Sequence, residues 1–223
     1  YMYLVNRSQI LATNITNATS YAIYAAYSYN NTFDHIDIDL RKQGSYGMYT
    51  QYIQDNNFTD LNIANSTSYA FYLQYSPWQN FVNLTVSNGN GAYFYQSGNN
   101  TINNFVANSN TYGIYTQYSG DTTFNNISIW NCTSQCIRFY YSNNMRVDTG
   151  SINLSSSYAI YQYASTTSSH RYLDNNFFKD IEISNIALND TYIYVGTSYQ
   201  GRNITFLNVS SADTYFNPAS GGD

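Results

Sequence analysis

The sequence predicts an all-β chain whose short strands wind into stacked coils, one solenoid along nearly the whole length. Two observations carry this. A five-residue phrase returns about every 23 residues, and between its copies lies a second segment with period-two hydrophobicity. A helical period of 3.6 residues is found nowhere along the chain.

The first element of each coil is the phrase itself. It reads Ser20-Tyr21-Ala22-Ile23-Tyr24, Ser45-Tyr46-Gly47-Met48-Tyr49, Ser68-Tyr69-Ala70-Phe71-Tyr72, Thr111-Tyr112-Gly113-Ile114-Tyr115 and Ser157-Tyr158-Ala159-Ile160-Tyr161. Weaker copies stand at Met2-Tyr3-Leu4, Gly91-Ala92-Tyr93-Phe94, Cys136-Ile137-Arg138-Phe139 and Tyr192-Ile193-Tyr194-Val195. The second element has the form F-x-x-I-x-I, as in Phe33, Ile36, Ile38; Phe58, Leu61, Ile63; Phe81, Leu84, Val86; Phe124, Ile127, Ile129; and Phe178, Ile181, Ile183. Apolar residues two apart, divided by polar ones, give a strand with one buried face. The turns between carry Asn, Ser and Gly, whose side chains bond local backbone or tolerate left-handed conformations. Asn recurs two residues past the last apolar position of the second strand, at Asn17, Asn65, Asn88, Asn131 and Asn185, which predicts a ladder.

Coils of two or three short strands, repeated every 20-odd residues with stacked Asn at the corners, resemble the right-handed parallel β-helix of pectin-lyase-like and surface proteins. The resemblance covers Met2 to about Val209. It implies a single-stranded solenoid of about nine coils, with a domain over residues 1–211 and a short C-terminal tail over 212–223. At ~4.8 Å per rung, nine coils build a core ~40 Å long. Two stretches leave the period, Met145 to Ser151 and Ala164 to Asn176, and are expected to bulge as loops.

Composition narrows the function. Asn, Gln, Ser and Thr make up 90 of 223 residues, charged residues only 9%, and the net charge is -5. Without a Lys/Arg cluster there is no electrostatic footprint for nucleic acid, and no apolar run is long enough to enter a membrane. The sequence begins at Tyr1 without Met or an apolar leader, so it reads as a mature or excised piece of a longer product.

If Ile23 and its equivalents point inward, the next residue points outward. The expected column is Tyr3, Tyr24, Tyr49, Tyr72, Tyr93, Tyr115, Tyr161 and Tyr194, interrupted by Arg138. Such a stripe would be exposed, serving either as an interaction surface for a sibling subunit or polysaccharide, or as an aromatic ladder that stabilises the coils.

Sequons for N-linked sugar occur at Asn6, Asn14, Asn17, Asn30, Asn57, Asn65, Asn83, Asn99, Asn126, Asn131, Asn153, Asn189, Asn203 and Asn208, about twice the number that random placement would give. Strands rich in Asn and Thr generate some unaided, yet a surface so poor in charge needs another source of solubility, and N-glycans supply it. Glycosylation implies export, from a eukaryote or an archaeon. Cys132 and Cys136, four apart, could close a small loop in an oxidising compartment or stay as free thiols. His35 and His170 lie in different coils, so no metal site and no cofactor is expected.

Two acidic pairs have the spacing of catalytic carboxylates. Asp37 and Asp39, with His35 on the same expected face, Asp60 one rung on, and Arg41 and Lys42 beyond, have the i, i+2 spacing of ~6.5–7 Å. Asp180 and Glu182 share that spacing five or six rungs away, too far to cooperate with the first pair. On solvated strands such pairs serve solubility or weak Ca²⁺ binding, and no catalytic residue carries over from the lyases and hydrolases of this fold. The expectation is therefore a non-enzymatic, exported, self-associating surface protein: a filament, sheath or adhesin subunit. Without visible caps, head-to-tail stacking of coils would cover both ends. A carbohydrate-binding or carbohydrate-cleaving module is the alternative.

Overall fold

The computed structural model describes residues 1–164, 173–195, 203–210 and 214–218. Every strand pairs in parallel with the strand one coil away, giving two sheets. The ten-stranded sheet runs through β1 (Met2–Tyr3), β3 (Tyr21–Ala26), β5 (Tyr46–Gln51), β7 (Phe71–Gln74), β9 (Ala92–Tyr95), β11 (Ile114–Gln117), β13 (Ile137–Tyr140), β15 (Ile160–Ala164), β17 (Thr191–Val195) and β19 (Thr214–Pro218). The nine-stranded sheet runs through β2 (Gln9–Thr16), β4 (Thr32–Asp39), β6 (Asn57–Ala64), β8 (Asn80–Ser87), β10 (Thr101–Asn108), β12 (Thr123–Cys132), β14 (Arg146–Ser155), β16 (Phe177–Ile186) and β18 (Thr205–Leu207). The chain is described without a break from β1 through β15, and four further strands, β16 to β19, follow.

Left-handed residues turn the coil. One stands after the first strand, at Tyr27, Tyr52, Tyr75, Tyr118 and Tyr141, and one before the second, at Asn30, Asp55, Trp78, Asn99 and Asp121. A third ends the second strand at Asn17, Asn65, Asn88, Asn131 and Asn185, where the sequence predicts its ladder. A fourth sits inside that strand, at His35, Asp60, Asn83, Asn104 and Asn126. This last position explains the F-x-x-I spacing: a left-handed residue bends the strand, so the apolar step lengthens from two to three before alternation resumes. Phe33, Ile36 and Ile38 are all buried as a result.

The core fills from both sheets. Ile23, Met48, Phe71, Ile114, Ile137 and Ile160 point inward from the first, and stacked rings from the second, with Phe33–Phe58 centroids at 4.8 Å and Phe58–Phe81 at 4.6 Å. At the corners, backbone N–H groups would be buried without partners, at a cost of ~1–3 kcal/mol each. Side chains of the next coil accept them instead. Ile53 N–H donates to Ser76 Oγ at 3.1 Å, Ser76 to Ser97 Oγ at 3.0 Å and Ser97 to Ser119 Oγ at 3.1 Å. A parallel row has Asn31 N–H on Asn56 Oδ1 at 2.9 Å, Asn56 on Gln79 Oε1 at 3.2 Å and Gln79 on Asn100 Oδ1 at 2.8 Å.

Two expectations change. Met145 to Ser151 is not a bulge: Met145 is buried and β14 pairs in register with β12 and β16, the usual apolar pattern being replaced by Val147, Gly150 and Ile152. Gly150 stands directly over Ile127, where an added Cβ would meet the Ile127 backbone and side chain. Of the second stretch, residues 165–172 lie outside the described residues, while Leu173 and Asn176 are buried. Within the residues assigned to the tail, β19 pairs with β17 and extends the ten-stranded sheet.

Candidate functional site

The outer face of the ten-stranded sheet is a tyrosine array, and its register corrects the expected column at both ends. Tyr3 pairs with Ala26, so Tyr1 takes the place beside Tyr24, at 5.2 Å between ring centroids. Tyr161 pairs with Tyr192, while Tyr194 pairs with Tyr163 in the neighbouring column. The phrase Tyr192-Ile193-Tyr194 concealed this, because the buried Thr191, and not Ile193, stands level with Ile160.

The rings stack along the solenoid: Tyr49–Tyr72 at 4.9 Å, Tyr72–Tyr93 at 4.8 Å and Tyr93–Tyr115 at 4.5 Å, with interplanar angles of 10°, 13° and 19°. Their faces are therefore consumed by each other. Tyr93 and Tyr115 are only 8% exposed, which overturns the expectation of an exposed stripe, and Tyr24, Tyr49, Tyr72 and Tyr161 are half-buried. Hydroxyls lie along the outer edge, Tyr93 and Tyr115 both donating to Gln117 Oε1, at 2.6 and 3.0 Å. Burial, reinforced by neighbouring tyrosines, pushes the Tyr49 and Tyr161 hydroxyls up to about 12. Arg138 occupies its coil of the column as a cation over tyrosine faces, 4.7 Å from the Tyr115 centroid and 5.8 Å from Tyr161, and donates to Tyr112 Oη at 3.1 Å.

The structure holds a second aromatic column that strand alternation does not predict. Tyr27, Tyr52 and Tyr75 stack at 4.9 Å on a left-handed corner, and Tyr27 and Tyr52 are 44% and 43% exposed. Its signal was the tyrosine three residues after Tyr24, Tyr49 and Tyr72. Alternation alone cannot place it, because the corner interrupts alternation.

The sequon asparagines occupy the rest of the surface. All fourteen are exposed or half-exposed, whereas the fully buried Asn31, Asn56, Asn100, Asn110 and Asn176 are the acceptor residue of no sequon. Not one of the fourteen lies in a strand of the tyrosine sheet, and among the described residues neither does any Asp or Glu. Asn83, Asn126, Asn65 and Asn131 belong to side-chain ladders, for example Asn83 Nδ2 to Asp60 Oδ1 at 2.6 Å and Asn126 Nδ2 to Asn104 Oδ1 at 2.8 Å. Asn208 donates in the same manner to Asp180 Oδ1 at 2.6 Å.

The first acidic group is arranged differently from its expectation. Asp37 and Asp39 do project outward, but His35 sits at the strand bend and bridges Asp34 (Nδ1, 2.8 Å) and Asp60 on the next coil (Nε2, 3.2 Å). The Asp34 hydrogen bond, then its charge, raises the pKa of this fully exposed imidazole. Asp34, His35 and Asp60 offer ligand atoms within 4.8 Å of one another, but both ring nitrogens already face carboxylates. Arg41 Nε lies 3.9 Å from Asp39, whose carboxyl is held low by hydrogen bonds from Asn65 and the Arg41 backbone. Lys42 reaches the backbone carbonyls of Ser66 and Asn88. Asp180, at a left-handed bend, accepts from Asn208 and pairs with Lys179. Cys132 and Cys136 form a buried disulfide with Cα atoms 5.4 Å apart, settling the alternative between loop closure and free thiols.

Residues 76–211, more than half the chain, match the family described as "Right handed beta helix region". The chain belongs to that family. Among curated proteins no relative matches this β-helix. Solved structures similar to it include QnrB1, a plasmid-mediated fluoroquinolone resistance protein, at 11% identity over 91% of this chain and 90% of that one, with a TM-score of 0.29. HetL, a pentapeptide repeat protein involved in heterocyst differentiation regulation in the cyanobacterium Nostoc, gives 7% identity over 83% and 86%, with a TM-score of 0.24. The A-module of the mannuronan C-5 epimerase AlgE4 of Azotobacter vinelandii gives 10% over 94% and 78%, at 0.25. At these values the similarity says nothing about what the β-helix does.

Proposed function

We propose that this β-helix is a non-enzymatic, exported structural glycoprotein, a subunit of a surface filament, sheath or adhesin that self-associates through its end coils and its tyrosine sheet. The observation that carries the reading is the division of the coil into two faces. Among the described residues every sequon asparagine and every acidic residue lies off the ten-stranded sheet, whose strands hold a single charged residue, Arg138. For a chain of net charge -5, that sheet is the face on which two copies meet without opposing like charges or sugars.

The end coils add a second contact. In β2 the apolar Ile10 and Ile15 are half-buried, where their neighbours Phe33 and Ile38 one coil on are buried. A further coil, from the same polypeptide or a second copy, would cover them and pair the edge strand. The rival reading, a module that binds or cleaves polysaccharide, would place sugar rings against tyrosine faces, and those faces are spent on stacking. Electron microscopy of the purified chain tests the proposal: polymers are expected. A strictly monomeric chain that binds polysaccharide, and loses that binding in Tyr49→Ala and Tyr72→Ala, overturns it.

A further inference from the structure

Sequon asparagines are not scattered over the corners. On the strand-bend corner the side chains climb coil by coil through Asp60, Asn83, Asn104 and Asn126, each amide donating to the residue below. Asn83 and Asn126 are sequons, and Asn104, between them, is not, because Val106 stands where Ser or Thr is required. On the strand-end corner the sequons are Asn17, Asn65 and Asn131; Leu40 separates the first two, and Asn88 and Ser109 the next two. On the corner before the second strand, Asn30, Asn99 and Asn203 are three and four coils apart. Within the strands, Asn14 faces Asp37, Asn57 faces Thr32 and Asn80, and Asn153 faces Trp130 and Ser184. In no column do two sequon asparagines occupy adjacent coils.

We propose that these columns are a spaced N-glycan array, in which every acceptor is followed by at least one coil without one, and the intervening ladder residue orients the acceptor amide. The inference rests on the glycoprotein reading and adds which asparagines carry sugar together. Adjacent coils lie ~4.8 Å apart, the width of one strand, so two branched glycans cannot leave the same corner on successive coils; skipping one coil doubles the gap to ~9.6 Å. The chemistry fits the ladder. Asn83 Nδ2 attacks the anomeric carbon of a glycosyl diphosphate donor, the C–O bond to phosphate breaks, the diphosphate leaves with the bonding pair, and the one proton the amide gives up is taken by that departing diphosphate. The remaining N–H is enough for the bond to Asp60 Oδ1 at 2.6 Å.

Val106→Thr tests this, because it converts Asn104-Phe105-Val106 into a sequon between Asn83 and Asn126 by a near-isosteric change on an outward, half-buried position. Val106→Ala makes the same position small without creating a sequon. Each full-length chain is produced in an N-glycosylating host, folded molecules are isolated by native size exclusion, and sugars are counted by intact-mass and peptide mass spectrometry. The wild type and Val106→Ala are expected to carry sugar at Asn83 and Asn126 together. Folded Val106→Thr molecules are expected to carry it at no more than two of Asn83, Asn104 and Asn126. Folded molecules filled at all three overturn the spacing while leaving the glycoprotein reading intact, whereas a wild type free of sugar in that host overturns the glycoprotein reading itself.

Discussion

Asn104 donates its side-chain amide to Asn83 Oδ1 at 2.8 Å across adjacent coils, and both residues have left-handed backbones, φ 59° and 60°. Asn tolerates this conformation better than most residues, and its amide both donates and accepts, so one residue type turns the strand and ties each coil to the next. The same logic runs inside the corners, where the side chains are buried and the bonds cannot be replaced by water.

Asn56 is the clearest of these buried links. Its Oδ1 accepts the Asn31 N–H, and its amide donates to Gln54 O and Gln79 Oε1, both at 3.0 Å. Asn56→Leu leaves the buried Asn31 N–H without an acceptor, while Gln54 O keeps the Asn30 N–H and Gln79 Oε1 keeps the Asn56 N–H, and a loss of ~1–3 kcal/mol is expected from the one unsatisfied group. Urea unfolding followed by circular dichroism reads this as a lower midpoint at unchanged slope. An unchanged midpoint would mean that the ladder contributes nothing.

Gly113 tests how closely the coils approach. A Cβ there would lie 2.6 Å from Ile129 Cγ2 and 2.7 Å from Cys136 O, the latter rigid backbone. Gly113→Ala should therefore destabilise by ~1–3 kcal/mol through overpacking, despite adding a single methyl. A thermal midpoint equal to the wild type would show that the sheets are looser than described.

Alkaline titration probes the tyrosine sheet. Burial favours neutral phenol, so the raised values of Tyr49 and Tyr161 contribute stability that is complete below the ordinary value near 10 and lost as pH rises through about 12. Tyrosinate absorbance and far-ultraviolet circular dichroism should therefore change together over that window. Ionisation of these tyrosines at pH ~10 with the sheet intact would contradict the buried stack. At the other end of the scale, His35 should titrate above the ordinary ~6.5 by NMR, its pairing with Asp34 and Asp60 present below that pH and lost as pH rises through the raised value.

The sequence disclosed what periodicity can disclose. Phrases such as Ser45-Tyr46-Gly47-Met48-Tyr49 located the coils, Phe58, Leu61 and Ile63 located the second strand, and the corner ladder at Asn65 and Asn131 was read directly. What it hid depends on conformation. The spacing predicts His35 on one exposed face with Asp37 and Asp39, and a left-handed φ of 53° directs its ring nitrogens to Asp34 and Asp60. The tyrosine stripe was expected to be exposed because alternation says which way a side chain leaves a strand, not that its neighbours ~4.8 Å above and below will cover its faces. Tyr3 and Tyr194 slipped by two because a Tyr-x-Tyr phrase offers two equivalent registers, and only pairing with Ala26 and Tyr163 chooses between them.

The central claim, that copies of this chain meet through the tyrosine sheet and not through the asparagine-bearing one, is tested most directly by sedimentation velocity on two charge insertions. Tyr72→Arg places a cation in a column that already holds Arg138 between Tyr115 and Tyr161, and Asn62→Arg places one on the outer face of the opposite sheet without touching a sequon. With folding verified by circular dichroism, the wild type and Asn62→Arg should associate equally, and Tyr72→Arg, left with only the end-coil contact, should associate more weakly. Association of Tyr72→Arg as strong as that of the wild type would contradict the account.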